Sequence, residues 1–187
     1  MGQRQYKYIA HSENSNGEEQ SMKQHSEGVA ELMKSFALAN DFAEIYSCCG
    51  LLHDLGKYST GFQKFIRSNG NKEPHARWGA YMALKSKLIN IAFPVIGHHA
   101  GLPNRDAMFE DLEICAKDGN RWNEIQRALD EDKAIIPICD NSPFDKIGDT
   151  FQKELFIRLL YSALVDADSL DTERHFEKEQ FDARSSK

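Results

Sequence analysis

Long apolar runs are what this 187-residue chain most plainly lacks. No uninterrupted stretch approaches the roughly 20 apolar residues that a membrane-spanning helix needs, so no membrane partner is expected. The opening residues, MGQRQYKYIAHSENSNGEEQ, are polar and hold no apolar core of a signal peptide. Tyr6 stands where a myristoylation signal needs Ser or Thr. CxxC spacing is also missing: Cys48 and Cys49 are adjacent in an apolar stretch, and Cys115 and Cys139 are isolated. Thiols so placed read as small core residues of a reduced protein, and the expected compartment is the cytoplasm. There are no internal repeats and no low-complexity tracts. No GxxxxGK[ST] phosphate loop appears either, so the chain alone is not expected to move along nucleic acid by ATP hydrolysis.

Hydrophobic residues make up 41% of the chain and charged residues 28%, and 11 Phe, 6 Tyr and 2 Trp supply ample surface to bury. That composition excludes a mostly disordered chain, and the length suits one domain with a real core. The net charge of -6 weighs against nonspecific binding to nucleic acid. It conceals a basic middle: Lys57, Lys64, Arg67, Lys72, Arg77, Lys85, Lys87 and Arg105 face Glu73 alone, a local charge of +7. Such a segment is either a set of solvated helix faces or a surface that faces phosphate.

The hydrophobic pattern is helical nearly throughout. Residues 1–20 read as a partly flexible N-terminal segment, 21–176 as one domain, and 177–187 as a polar tail or linker. Val29, Leu32, Met33 and Phe36 form a helical stripe, with His25 one turn earlier on the same face. Phe42 to Leu55 reads as a buried helix ending at Gly56. Ser59 or Thr60 can cap a short helix carrying Phe62, Phe65 and Ile66, closed by Ser68, Asn69, Gly70 and Asn71. Ala76 to Ile91 reads as one helix, with Pro94 near the start of a further apolar segment. Met108 to Cys115 and Trp122 to Leu129 read as short outer helices, and Ala134 to Asp145, with Pro137 and Pro143, as a loop. Thr150 to Asp168 is a long helix with a broad apolar face of Phe151, Leu155, Phe156, Leu159, Leu160, Ala163, Leu164 and Ala167. No stretch alternates as a strand should, so the expected fold is an all-α bundle.

The chemistry lies in a series of side chains at helix ends. His25 opens one helix, and His53 and Asp54 close the next. His75 starts another, His98 and His99 precede a Gly-Leu-Pro turn, and Asp166 and Asp168 end the last long helix. A single His-Asp pair is usually a structural hydrogen bond. Five histidines and paired acids at successive helix ends are different, because packing alone gives no reason for them and burying them unpaired is costly. Imidazole nitrogen with carboxylate oxygen suits Mn, Fe, Co or Ni, with Zn or Mg as further options. A carboxylate has two oxygens, so Asp54 could bridge two divalent ions. Two ions about 3.5–4 Å apart would activate water and stabilise both oxygens of a phosphodiester displacement.

These residues resemble the HD phosphohydrolase superfamily, and more closely the HD nuclease domain of the CRISPR-associated type I interference nuclease-helicase. The matching segments are AHS from Ala10, the helix from His25, GLLHDLGKYSTGFQKF from Gly50, and His75 with Gly79 and Ala80. IGHHAGLP from Ile96 and SALVDADSLDTE from Ser162 complete the series. The resemblance runs from about residue 8 to 176, with no usable motif between Asp106 and Asp149. It implies an HD-superfamily helical bundle with a metal-binding cleft. It also implies a metal-dependent endonuclease for single-stranded DNA, partnered by a helicase and an RNA-guided surveillance complex.

By motif, the resemblance gives one metal to His25, His53, Asp54 and a C-terminal acid. That acid is Asp168 by the family's Ala-Asp pair, with Asp166 as the alternate. It gives the second metal to Asp54, His75, His98 and His99. Lys57 takes the HD-x-x-K position and is expected, with Asp54, to act in catalysis by holding a phosphate oxygen or offsetting developing charge. His11 is expected to orient a ligand or cap local structure, and His175 to be a surface residue. Phe62 and Phe65 are expected in the core, while Trp78 could pack there or stack on an unpaired base. Two other readings stand beside the nuclease: a hydrolase of a small nucleotide phosphoester, and an inactive domain used only for interaction.

Overall fold

The computed structural model describes residues 6–67 and 70–185. Ser68 and Asn69 of the expected helix-closing turn lie outside the described residues, as do Met1 to Gln5 and the last two tail residues, Ser186 and Lys187. The fold is all-α, with one addition. Two short antiparallel strands, β1 (Ile9–His11) and β2 (Gln20–Ser21), form a hairpin ahead of the first helix. The N-terminal segment, expected to be partly flexible, contains its turn. The Asn14 side chain accepts from the amides of Asn16 and Glu18, and the Gly17 amide donates to the Asn14 carbonyl. Strands of two and three residues are too short for an alternating pattern to show.

Ser21 starts α1 (Met22–Ser35) with a capping box: its hydroxyl accepts from the Gln24 amide, and the Gln24 side chain returns to the Ser21 amide. After a 3-10 turn over Asn40–Phe42, α2 (Ala43–Leu52) is almost wholly buried through Ile45, Tyr46, Cys48, Cys49 and Leu52. The expected run to Leu55 stops earlier. His53 and Asp54 turn out of the helix, and Leu55–Tyr58 forms a 3-10 turn. Ser59 caps α3 (Thr60–Ile66) by accepting from the Phe62 amide.

The single helix expected over Ala76–Ile91 is two, α4 (Ala76–Lys85) and α5 (Ile89–Gly97). The break is a Schellman closure: the Leu88 amide donates to the Ala83 carbonyl and the Lys87 amide to the Leu84 carbonyl. Lys87 holds the left-handed position, with φ of 62°, where glycine is the usual signal, so the helix end was not legible. Pro94 sits inside α5 rather than at the start of a separate segment. Next come α6 (Arg105–Lys117), capped by Asn104, and α7 (Gly119–Asp132), capped by Asp118; both are longer than the patterns suggested. The Ala134 to Asp145 loop ends in one turn of helix, α8 (Ser142–Asp145).

A second capping box, Asp149 with Gln152, starts α9 (Thr150–Phe176), which runs two turns past the expected end at Asp168. Its buried stripe is narrower than expected: Phe156, Leu160, Leu164, Ala167 and Asp171. Phe151, Leu155 and Leu159 lie on the exposed side, because only one line of the helix meets the bundle. The tail after Phe176 forms α10 (Lys178–Ser185), which packs back on α9. In the bundle, α1 packs on α2, α4 on α5, and α9 lies against α1, α2 and α5. That arrangement brings the C-terminal ends of α2 and α5 to one place, beside the middle of α9.

Candidate metal centre

Three histidine rings are fixed by their Nδ1 atoms. His53 Nδ1 lies 2.7 Å from the Gly50 carbonyl, and His98 Nδ1 lies 2.6 Å from the Val95 carbonyl. His25 Nδ1 lies 2.7 Å from Asp171 Oδ2. Carbonyls and a carboxylate only accept, so each Nδ1 carries a proton, and in the neutral form of each ring the lone pair lies on Nε2. The Nε2 atoms of two of these rings converge. His25 Nε2 lies 3.2 Å from His53 Nε2.

Asp54 stands between two groups of rings. Its Oδ2 lies 3.2 Å from His25 Nε2 and 3.3 Å from His53 Nε2. Its Oδ1 lies 3.1 Å from His75 Nε2 and 3.5 Å from His98 Nε2. Asp168 Oδ1 closes the first group, 3.4 Å from His25 Nε2 and 3.7 Å from His53 Nε2. His99 closes the second, its Nε2 being 2.8 Å from that of His75. The potential ligand atoms in each set, His25, His53, Asp54 and Asp168, and Asp54, His75, His98 and His99, lie within 4.8 Å of one another.

Local structure explains the convergence. His98 and His99 sit where α5 ends and the chain turns at Gly101, so adjacent rings can face one site, as they could not in a regular helix. His75 starts α4 and is packed edge-on against Phe62, with ring centroids 5.0 Å apart. Gly56 allows the 3-10 turn after Asp54 to lie directly on the His75 backbone, where a Cβ would strike the His75 carbonyl. The two sets differ in exposure. His25, His53 and Asp54 are buried and Asp168 half-buried, whereas His75 is half-buried and His99 exposed, so the second set faces solvent.

The electrostatics belong to a site that wants positive charge. Burial pulls His25 down, but Asp168, Asp171 and Asp54 push it up to about 9. Burial opposes His53 too, and Asp54 and Asp168 raise it to about 10. Burial raises the Asp54 carboxyl, yet His53, Lys57 and His75 hold it well below the usual carboxylate range. Asp168 is likewise held low, by His25 and His53 against its burial. Without a metal, protons take the cationic place.

A divalent ion fits these donors on a separate ground. Asp54 Oδ1 and His98 Nε2 are both buried without a hydrogen-bond partner among the described residues, and they face each other at 3.5 Å. Both are acceptors, and a cation between them satisfies both.

The remaining candidates fall as follows. Lys57 is buried. Its ammonium lies 2.5 Å from Asp54 Oδ2 and 3.5 Å from the Ala10 carbonyl. Asp166 is exposed on α9 and belongs to neither set. His11 packs edge-on against His25, 4.7 Å between centroids, and its Nε2 lies 3.3 Å from the Thr172 hydroxyl. Burial and the nearby Lys57 and His25 charges lower His11 to about 3, so it stays neutral. His175 is half-buried, its Nε2 2.9 Å from the Ser12 carbonyl. Phe62 is buried and Phe65 half-buried. Trp78 is a core residue, stacked on Trp122 with centroids 6.3 Å apart, and does not offer a face to a base.

Two residues that sequence reasoning passed over stand behind the cluster. Asp171 supports His25, and its only signal was membership in the DADSLDTE segment. Gln63, in the FQ pair, donates to the carbonyls of Ile9 and Lys57 and accepts from the Ile9 amide, tying the hairpin to the turn that carries Lys57.

No helix among the described residues is long and apolar enough to cross a membrane. The family model for the HD domain matches residues 22–142 of the chain. No curated protein matches it.

Proposed function

The chain belongs to the HD domain family, whose members are metal-dependent phosphohydrolases, and from that premise we propose a nuclease that cuts single-stranded DNA in CRISPR antiviral defence. The observation that carries the phosphodiester reading is Asp54, with one oxygen toward His25 and His53 and the other toward His75 and His98. His25, His53, Asp54 and Asp168 would hold one divalent ion, and Asp54, His75, His98 and His99 the other. Such ions, most suitably Mn, Fe, Co or Ni with this donor set, supply an activated water and charge stabilisation.

The protein's own residues do the rest. Lys57 holds Asp54 Oδ2 from the side and offers a buried positive charge where a phosphate oxygen would gather negative charge. Exposed His99 and half-buried His75 leave the second set open to substrate, while the buried first set keeps bulk water out. Single-stranded DNA, rather than a small nucleotide, is favoured by HDLGK, FQ, HH-x-GLP and DADSLDTE in that order. The basic middle supports this in part. Arg77 is paired with Asp111, Arg67 with Gln63 and the backbone of Tyr6 and Lys7, and Lys85 and Arg105 lie over the rings of Tyr81 and Phe109, which leaves Lys64, Lys72 and Lys87 without an ion pair or ring contact among the described residues. A helicase and an RNA-guided complex in the cytoplasm complete the reading.

The test is cleavage of circular single-stranded DNA by metal-stripped protein with Mn, Fe, Co, Ni, Mg or Zn added back. Cutting with a transition metal, lost in Asp54→Ala and in His53→Ala while both variants stay folded, is expected. Full activity in either variant would refute the site. Cleavage of small nucleotide phosphoesters without any cutting of DNA would transfer the same centre to a nucleotide hydrolase.

A further inference from the structure

Asp171 belongs to neither ligand set, yet it is fully buried on α9, one turn beyond Asp168. Its oxygens are saturated by donors from three elements. Oδ2 takes His25 Nδ1 at 2.7 Å and the side-chain amide of Gln20, on β2, at 2.7 Å. Oδ1 takes the guanidinium of Arg174. The facing position on α1 is Gly28, where a Cβ would strike both Asp171 Oδ1 and Arg174. A hairpin residue, a glycine position on α1 and an arginine thus converge on one acid that reaches the centre, among the described residues, through the far nitrogen of His25.

The other two fixed rings lean on neutral carbonyls, of Gly50 and Val95. His25 alone leans on a carboxylate. A carboxylate behind an imidazole fixes its tautomer and strengthens the opposite nitrogen as a donor. We propose that Asp171 is the positioning residue of the centre: it holds His25 through Nδ1 so that Nε2 is aimed into the cluster, and so sets the metal affinity of the His25, His53, Asp54 and Asp168 set. The proposal rests on the metal-dependent hydrolase reading of that set.

The geometry makes Asp171→Asn an informative change. An asparagine keeps the shape but has one oxygen where three donors require two. If its oxygen faces His25 and Gln20, its NH2 meets the Arg174 guanidinium; if it turns over, its NH2 meets the His25 and Gln20 donors. Removing Arg174 as well relieves the first conflict, so the oxygen can stay on His25. A merely structural Asp171 predicts the opposite order, with the double variant worse than the single.

The experiment is a Zn2+ titration of the stripped full-length chain against a competing chelator, without nucleic acid. Long-range 1H–15N spectra of the Zn2+-loaded protein report the His25 tautomer. Asp171→Asn should weaken Zn2+ binding by about 10–100-fold, the usual range for such a partner. Asp171→Asn with Arg174→Ala should recover part of that loss. Unchanged affinity in Asp171→Asn would overturn the proposal, and so would a double variant weaker than the single. Should Asp171→Asn not fold, the wild-type spectrum decides alone: His25 protonated on Nδ1 supports the proposal and His25 protonated on Nε2 overturns it. Failure of the hydrolase reading looks different, because the wild-type chain would then bind no Zn2+.

Discussion

Stripping metal from the protein should change its stability in a pH-dependent way whose sign follows from the buried rings. In the metal-free centre His25 sits at about 9 and His53 at about 10, both raised by carboxylates. Groups with raised pKa values stabilise the stripped fold fully below the ordinary imidazole value of about 6.5 and lose that contribution as pH rises through 9 and 10. Metal ligation requires both rings neutral on Nε2, so an ion must expel the protons it replaces. Each proton expelled strengthens apparent metal affinity about tenfold per pH unit, or about 1.4 kcal/mol. For a domain of this size 1 kcal/mol is roughly 2–4 °C in Tm. The gap in Tm between Mn2+-saturated and chelator-stripped protein should therefore widen by roughly 3–6 °C per pH unit for one proton, and more for two, between pH 6.5 and 8.5. Thermal unfolding followed by circular dichroism at fixed free Mn2+ measures this. A gap that stays constant or narrows with rising pH would refute the proton-for-metal exchange.

Three further outcomes follow from particular residues. Asp168→Asn should lower metal-dependent cleavage by at least tenfold while Asp166→Asn leaves it near wild type, because only Asp168 reaches the histidine cluster; equal losses in a DNA-cutting assay would contradict the assignment. Gly28→Ala should lower Tm although alanine is the better helix former by up to about 1 kcal/mol, since its methyl group strikes Asp171 and Arg174; a higher Tm would show that the contact yields freely. Asn90 is buried on α5 with neither side-chain polar atom paired among the described residues, so Asn90→Leu should stabilise the fold by about 1–3 kcal/mol in urea denaturation; a lower midpoint would mean that the amide has a partner, such as bound water.

The helices were legible because their apolar stripes are ordinary and Ser59 caps α3 as read, whereas α6 and α7 begin at Asn104 and Asp118, caps that lie four residues ahead of the apolar patterns. Two of the helix ends share one signal. Past the ends of α4 and α7, Lys87 and Lys133 hold the left-handed conformation usually marked by glycine, so neither sequence announces a stop. The apolar face of α9 looked broad because Phe151, Leu155 and Leu159 continue a helical pattern past what the bundle covers. At the centre, the histidines at helix ends were visible as a series, and the structure gathers them around Asp54. Periodicity could not separate Asp166 from Asp168, since the choice depends on how α9 is rotated against α1 and α2. Asp171 and Gln63 stayed hidden because they touch the centre only through other residues.

The central claim is that Asp54 bridges two divalent ions, and anomalous diffraction from crystals grown with Mn2+ tests it most directly. The account predicts two anomalous peaks about 3.5–4 Å apart on either side of Asp54, one among His25, His53 and Asp168 and the other among His75, His98 and His99. Crystals in saturating Mn2+ with no peak beside Asp54, or with peaks only elsewhere on the protein, would contradict it.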